Sequence, residues 1–227
     1  MAGTLYIVST PIGNLDDITF RAVNILKEVD LIAAEDTRVT KKLLNKFNIE
    51  KKCISYNNYN ENVKYKYIIS LLKENLNIAL VSDAGSPCIS DPGYKLIHAA
   101  RLEMIDVVSI PGASSVIAAL SISGLPTDKF YFEGFLPKKK GKNKRLDYIA
   151  KLDCSIIIFE SPNRIKKTLK NIFERLGNRV IAVCKELTKL HENVKFGYLD
   201  DILLDFSDNN KGEYVIIIAN RKYKIEK

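Results

Sequence analysis

The chain has 227 residues, of which 46% are hydrophobic and 27% charged, a composition typical of a globular protein. That length suits one large domain or two small ones, each able to bury its own core. Because no run of about 18 apolar residues occurs and no basic stretch precedes the first apolar segment, neither a transmembrane helix nor a signal peptide is expected.

The four cysteines form no C-x-x-C pair, and neither histidine has a partner at metal-ligand spacing. No metal site or disulfide framework is therefore expected, and the composition favours a reducing, cytoplasmic setting.

The formal net charge of +8 is unevenly distributed. Between Phe135 and Lys185 there are fourteen Lys and Arg against four Asp and Glu, a local balance of +10 that leaves the rest of the chain at −2. A basic excess confined to one region favours a polyanionic partner. A general lysine bias is the alternative, although a bias of that kind would raise lysine everywhere.

In the first half, short apolar runs alternate with amphipathic stretches. The runs 4–9, 30–35, 77–82 and 105–110 predict buried strands, and the stretches 18–29, 38–47, 61–76 and 93–102 predict helices. This alternation indicates a mostly parallel sheet with helices on its faces.

A helix is predicted from about 114 to a break at 124–127, and the second half that follows has a different character. Strands are predicted at 129–135, 155–160, 179–186 and 213–220, with a helix over 162–176 and a basic loop over 137–145. The fold class is therefore α/β with two lobes, 1–113 with a mostly parallel sheet and 114–227 with a mixed sheet.

Three loops at the ends of predicted strands are candidates for ligand binding, since ligands of parallel α/β sheets lie outside the carboxyl ends of the strands. Their sequences are STPIGNLDD (9–17), VSDAGSPCISDPG (81–93) and IPGASS (110–115). The first could instead be an ordinary turn with Asp17 as a helix N-cap, and Asp91-Pro92 predicts a helix start in the second. No G-x-G-x-x-G or P-loop motif supports dinucleotide or P-loop chemistry.

Several segments occur in a recognisable order from one end of the chain to the other, namely LYIVSTPIGNLDDIT, AEDTR, SDAGSPCISDPG, IPGASS, FEGFLPKKKGK, FESPNR, KELTKLHE and KGEYV. The series resembles the bacterial small-subunit ribosomal RNA methyltransferase family that modifies the 2′-oxygen of a cytidine ribose, within the tetrapyrrole-methylase superfamily. The resemblance implies a class III methyltransferase fold, with S-adenosylmethionine in the cleft between two α/β lobes. It also implies a homodimer that acts on ribosomal RNA or the small ribosomal subunit.

The resemblance also implies which residues bind the cofactor. The positions that match the family's cofactor segments are Pro11, Ile12, Gly13, Asp83, Gly85, Ser86, Ile89, Ser114 and Ser115. In the second lobe, Phe159, Glu160, Glu186 and Leu187 fall where relatives line the cleft, and of these Phe159 and Leu187 are expected to contact the cofactor.

A ribose hydroxyl needs a proton acceptor when it attacks a methyl group. The candidates are Glu35, Asp36, Asp83, Glu160 and Glu186, with Lys185 and Lys189 as further possibilities. The sequence does not choose among them, and for each residue taken alone a structural salt bridge is the favoured alternative.

For RNA, phosphate contacts are expected from Lys138, Lys139, Lys140, Lys142 and Arg145 in the basic loop. A solvated hairpin tip is the alternative for this loop. Arg164 lies at a predicted helix start, where a cation opposes the helix dipole, so a phosphate contact is expected there too.

Two other functions remain open. A small-molecule methyltransferase acting on a tetrapyrrole-like acid would explain the cofactor loops but not the basic loop. A non-catalytic RNA-binding protein would leave the SDAGSP and PGASS segments without a purpose.

Overall fold

The computed structural model describes residues 2–207 and 209–226, which form two compact units, one ending at Ser114 and the other beginning at Ser115. Each unit is built on a five-stranded sheet with helices, so the predicted α/β class is confirmed. Within the described residues, no helix is both long and apolar enough to cross a membrane.

The first unit has an all-parallel sheet in the order β3-β2-β4-β1-β5. Its elements are β1 (Leu5–Val8), α1 (Phe20–Glu28), β2 (Leu31–Ala34), α2 (Thr37–Lys46), β3 (Cys53–Ser55), α3 (Glu61–Lys73), β4 (Ile78–Val81), α4 (Tyr94–Leu102) and β5 (Val107–Ile110). A one-turn 3-10 helix, Leu15–Asp17, precedes α1.

The two faces of this sheet are covered by different helices. Ala22 and Leu26 of α1 and Leu44 of α2 pack in one core cluster with alternate strand residues. The other core cluster contains residues of α3 and α4, such as Leu72 and Leu96. Both faces are apolar because each is covered, which explains why the strands are continuous hydrophobic runs.

The second unit has a mixed sheet in the order β6-β7-β10-β8-β9, in which only β6 and β7 are parallel. Its elements are α5 (Ser115–Ile122), β6 (Phe130–Phe135), α6 (Lys142–Ile149), β7 (Ser155–Glu160), α7 (Ile165–Leu176), β8 (Val180–Lys185), β9 (Asn193–Tyr198), α8 (Leu199–Leu204) and β10 (Tyr214–Ile218). Side chains of α6, α7 and α8 share one core cluster with the sheet.

Eight strands lie where the apolar runs predict them, whereas four elements were not predicted. The missed elements are β3, α6, β9 and α8. The basic loop predicted over 137–145 is wrong in its second part, because α6 begins at Lys142. The helix is held by the buried side chains of Leu146 and Ile149. It was not predicted because its first four residues, 142–145, are all polar.

Candidate functional site

The carboxyl edge of the first sheet contains a point where the chain connections diverge. From β2 the chain continues through α2 to β3 on one side, and from neighbouring β4 it continues through α4 to β5 on the other. Since α2 and α4 lie on opposite faces, a crevice is expected outside the ends of β2 and β4. Ligands of open α/β sheets bind at such a position.

The first two candidate loops are joined to each other at this edge. Thr10 and Gly85 form an isolated antiparallel bridge, with N–H···O distances of 2.9 Å and 3.1 Å in the two directions. The hydroxyl groups of Ser9 and Ser86 lie 2.8 Å apart. The Thr10 hydroxyl also donates to the carbonyl of Ser82 at 3.0 Å, so the two loops form one hydrogen-bonded structure.

The third loop lies against the same structure. A Cβ atom added to Gly112 would come within 3.0 Å of Ser9 Cβ, and one added to Gly85 would come within 3.4 Å of Ile12 and 3.8 Å of the Ala113 carbonyl. The three loops therefore pack closely at Gly85 and Gly112, and Pro11, Ile12, Asp83 and Ser86 lie together around these contacts. Gly13 and Ile89 are exposed beside them, Ser114 ends the first unit and Ser115 begins α5.

The backbone of the second loop is unusually irregular. Cys88 and Ser90 both have positive φ (73° and 65°), and Gly93 has φ 143°. Non-glycine residues in the left-handed region store local strain, which clusters at binding sites. The helix start predicted at Asp91-Pro92 is wrong, because α4 begins only at Tyr94, after Gly93.

The N-cap considered for Asp17 is also wrong. Asp17 ends the 3-10 helix, and the side chain of Thr19 caps α1 by accepting a bond from the Ala22 N–H at 3.1 Å. The first loop is therefore longer than a simple strand-to-helix turn. It contains two capped helix starts, that of the 3-10 helix at Asn14 and that of α1 at Thr19.

Carboxylates follow both strands that flank the crevice. Asp36 caps α2 and is bound by Arg38, whose hydrogen bonds lower the Asp36 pKa to about 2. Asp83 accepts a bond from the Asp36 N–H at 2.9 Å, and its own N–H donates to Glu35 at 3.3 Å. Burial, with the neighbouring carboxylates, raises the pKa of Glu35, and burial also raises the pKa of Asp83.

Asp91 belongs to this group although it was not predicted as a site residue. Burial first, and then the charges of Glu35 and Asp83, raise its pKa to about 7, against a weaker opposing bond from Ser82. Nothing in the pattern SDPG distinguishes such a carboxyl from a helix cap, since its surroundings come from β2 and β4.

Asp91→Asn is expected to stabilise the protein more at pH 8 than at pH 5. The folded state holds the Asp91 proton up to about pH 7, whereas the unfolded chain releases it near its ordinary value. Ionisation between these pH values therefore lowers the free energy of unfolding, and asparagine removes that loss. Urea denaturation at both pH values measures the difference, with Asp128→Asn as the exposed control. A gain independent of pH would contradict the assignment.

The second-unit candidates fall into two environments. Glu160 is buried and accepts bonds from Arg164, Thr168 and the N–H of Ser161, at 2.9, 2.6 and 2.7 Å. The Glu186 carboxylate accepts from the Glu213 N–H at 2.9 Å and from Lys189 at 3.0 Å, and these bonds lower its pKa.

The other second-unit candidates are hydrophobic or basic. Phe159 packs edge-on against Phe132 and Phe135, with ring centroids 5.0 Å and 5.6 Å away. Lys185 ends β8 opposite Tyr214, and Leu187 is buried.

The cationic candidates fall into two groups, exposed lysines and cations bound to other residues of the unit. Lys138, Lys139 and Lys140 are exposed, as expected of phosphate-binding side chains. The other three, Lys142, Arg145 and Arg164, are bound to partners within the unit, and their predicted phosphate contacts stay a prediction. Lys142 donates to Thr168 at 3.0 Å, Arg145 pairs with Glu133, and Arg164 pairs with Glu160. The misplaced charge at the start of α7 is therefore balanced by a carboxylate of the chain itself.

Thiol chemistry is disfavoured throughout. Burial raises the pKa of all four thiols, to about 11 for Cys88 and about 12 for Cys184. Protonated thiols are poor nucleophiles at neutral pH. Among the described residues, no group of three or more His, Cys, Asp or Glu side chains is arranged to hold a metal ion.

Comparison with known proteins gives the same fold and a family. Residues 4–203 match the family of the Tetrapyrrole (Corrin/Porphyrin) Methylases. Two similar solved structures are uroporphyrin-III-C-methyltransferase from Thermus thermophilus, with a TM-score of 0.65, and cobalt precorrin-4 methyltransferase, with a TM-score of 0.68. They are 18% and 19% identical, and they cover 97% and 95% of this chain and 94% of each of those chains.

Closer relatives carry the name ribosomal RNA small subunit methyltransferase I. The protein from Halalkalibacterium halodurans is 48% identical over 99% of this chain and 78% of its own length. That from Thermotoga maritima is 44% identical over 97% of this chain and 100% of its own length. The resemblance predicted from the motifs is confirmed. The chain therefore belongs to the Tetrapyrrole (Corrin/Porphyrin) Methylases and is a methyltransferase, in the branch of the relatives named ribosomal RNA small subunit methyltransferase I.

Proposed function

We propose that this chain transfers a methyl group from S-adenosylmethionine to a cytidine ribose 2′-oxygen in small-subunit ribosomal RNA. The observation that carries the proposal is identity of 44–48% over nearly the whole chain to proteins named ribosomal RNA small subunit methyltransferase I. The basic segment around Lys138–Lys140 supports a polyanionic substrate over a tetrapyrrole-like acid.

The residues at the carboxyl edge of the first sheet fit the cofactor. Gly85 and Gly112 have no side chain, which lets the three loops pack closely at this edge, and Asp83 and Ala84 are exposed beside them. Exposed loop residues of this kind suit the recognition of an adenosine. Pro11, Ile12 and Ile89 would supply apolar contacts. When bound, S-adenosylmethionine supplies an activated methyl group on a sulfonium.

The protein's part in such a displacement is to align the acceptor oxygen and to take up its proton. Among the carboxylates, the pKa of Asp91 is raised to about 7 and that of Glu35 is also raised, whereas the pKa values of Asp36 and Glu186 are lowered. A base with a pKa near the working pH is the more effective proton acceptor. We therefore assign proton uptake to the Glu35–Asp91 group. In Asp91→Asn this position can no longer take up a proton, so the rate should fall and the limb of the pH–rate profile near pH 7 should disappear; an unchanged profile would remove Asp91 from this role.

The cysteines bear on the methyl acceptor and on the cellular compartment. The raised thiol pKa values disfavour base methylation through a cysteine thiolate. The free cysteines accord with a reducing cytoplasm, and the homodimer is inferred from the family resemblance alone. Sedimentation analysis would show a single species of about twice the chain mass.

Alkaline hydrolysis of methyl-labelled RNA tests the acceptor. A 2′-O-methyl group blocks cleavage of the adjacent phosphodiester, because the neighbouring hydroxyl is the nucleophile in that reaction. Small subunits from a strain that lacks the enzyme are expected to yield label in an alkali-resistant dinucleotide containing cytidine. Label in ordinary mononucleotides would instead place the methyl group on a base, and transfer to no RNA at all would favour a small-molecule substrate.

A further inference from the structure

A buried carboxylate stands at the centre of a polar network in the second unit. The Glu160 side chain, at the end of β7, is 0% exposed. Its Oε1 accepts from Ser161 N–H at 2.7 Å and from Arg164 Nε at 2.9 Å. Its Oε2 accepts from Arg164 Nη2 at 2.9 Å and from the Thr168 hydroxyl at 2.6 Å. Both oxygens are thus bonded, which leaves this carboxylate poorly suited to receive a proton from substrate.

Two members of the network also hold the ends of one exposed segment, which we call the lysine tip (residues 137–141). At its start, Arg164 Nη2 donates to the carbonyl of Leu136 at 2.8 Å. At its end, Lys142 Nζ donates to the Thr168 hydroxyl at 3.0 Å. Both attachments lead to the same carboxylate, so the tip is bound to the body of the unit at each end.

Within the lysine tip the charges point to solvent. Lys138, Lys139 and Lys140 are exposed, and Gly141 adopts φ 89°, which turns the chain into α6. One turn into α6, Arg145 is bound to Glu133 and to the Tyr131 hydroxyl of β6. A short segment with three free lysines is therefore fixed on a rigid base.

Stability alone does not explain a buried ionic network at this place. A buried ion pair is often no more stabilising than well-packed apolar residues, because both charges must be desolvated. What a buried ion pair does provide is hydrogen bonds of fixed direction, which hold the bonded groups in one arrangement. Here the donors are the guanidinium of Arg164 and the hydroxyl of Thr168. An ordered tip also loses less conformational entropy when it binds a rigid polyanion.

We propose that Glu160, Arg164 and Thr168 are positioning residues that hold the lysine tip in place for the phosphates of the RNA substrate. This inference rests on the proposed function, because it takes the substrate to be RNA. It assigns Glu160 to RNA positioning through Arg164 and Thr168, with no direct contact to the reacting atoms.

Thr168→Val tests the proposal without changing any charge, since valine has nearly the shape of threonine but no hydroxyl. We expect affinity for small-subunit RNA to fall by about fivefold to tenfold, with S-adenosylmethionine affinity unchanged. Amide hydrogen exchange should quicken in residues 137–145 and stay the same in the rest of the unit. Thr168→Ser keeps the hydroxyl and should restore both properties. Exchange that rises throughout the unit would indicate general destabilisation and overturn the positioning role.

A second pair of variants uses matched charge. Lys142→Met removes a lysine that is hydrogen-bonded to the network. Lys144→Met removes an exposed lysine two residues further along the chain. Each loses one positive charge, so equal losses of RNA affinity would overturn the proposal. A larger loss in Lys142→Met, with faster exchange in the tip, is expected.

The network should act only through the tip lysines. In a Lys138, Lys139 and Lys140→Ala background, Thr168→Val is therefore expected to cause no further loss of RNA affinity, whereas additive losses would overturn the proposal. Amide hydrogen exchange of Thr168→Val is measured without RNA, so it tests the positioning role independently of the proposed function. Faster tip exchange with no RNA binding by the unmodified protein would overturn the proposed function. Unchanged tip exchange in a protein that binds RNA would overturn this inference alone.

Discussion

Gly85→Val is expected to reduce S-adenosylmethionine affinity by at least about a hundredfold, or about 2.8 kcal/mol. Gly85 has φ 83°, in the left-handed region where a β-branched residue is strongly disfavoured. A side chain there would also extend toward Ile12 and the Ala113 carbonyl, which belong to the other two loops. Titration calorimetry measures the affinity, and circular dichroism checks that the fold persists.

Gly177→Val is the matched control for this variant. Gly177 has nearly the same φ, 80°, and ends α7, but a Cβ atom there would meet nothing within 4 Å. Backbone strain of roughly 1–2 kcal/mol should therefore lower the stability of both variants. Only Gly85→Val should lose the cofactor. If the two variants lose affinity equally, general destabilisation and not the loop contact is responsible; if neither loses it, the loop 82–86 is outside the site.

The carboxyl edge of the first sheet could be predicted because its signals are local. The apolar runs ending at Val8, Val81 and Ile110 define strands, and the small residues that follow them define loops without reference to anything distant. Parallel pairing then places these loops at one edge. The pairing of Thr10 with Gly85, by contrast, links residues 75 positions apart, and no periodicity carries that information.

For two cations of the second unit, the sequence pattern did not reveal the surroundings that the structure gives them. Arg164 looked misplaced for a helix start because its partner, Glu160, lies on the preceding strand and its second acceptor is the Leu136 carbonyl. Lys142 looked like part of a solvated loop because Leu146 and Ile149 bury only one face of a short helix. In both cases the residue type was informative, but its environment was decided by tertiary packing.

The two missed strands, β3 and β9, have local reasons of their own. β3 is only three residues long and all three are half-buried, so it has no apolar run of its own. β9 carries Lys195 and Gly197 and lies at the edge of its sheet, where one side needs no partner strand. Short or edge elements depend on the neighbouring strand for their conformation, and intrinsic propensity is then a weak guide.

Replacing Lys138, Lys139 and Lys140 with alanine is expected to weaken RNA binding and to flatten its dependence on salt. These three side chains are exposed, whereas Lys142 is bound to Thr168 and belongs to the base of the tip, so it is left unchanged. Each phosphate contact releases counterions, and its loss lowers the log–log slope by about 0.7 to 0.9. Three lost contacts would therefore lower the slope by about 2 to 3.

Filter binding of small-subunit RNA over a range of salt concentrations measures this slope. The control is a variant in which Lys27, Lys42 and Lys52, exposed lysines of the first unit, are replaced by alanine with the same change in net charge. The control slope should fall by less, and both variants should bind S-adenosylmethionine as the unmodified protein does. Because counterion release depends on contacts and not on overall charge, equal slopes for the two variants would mean that the lysine tip makes no phosphate contacts of its own.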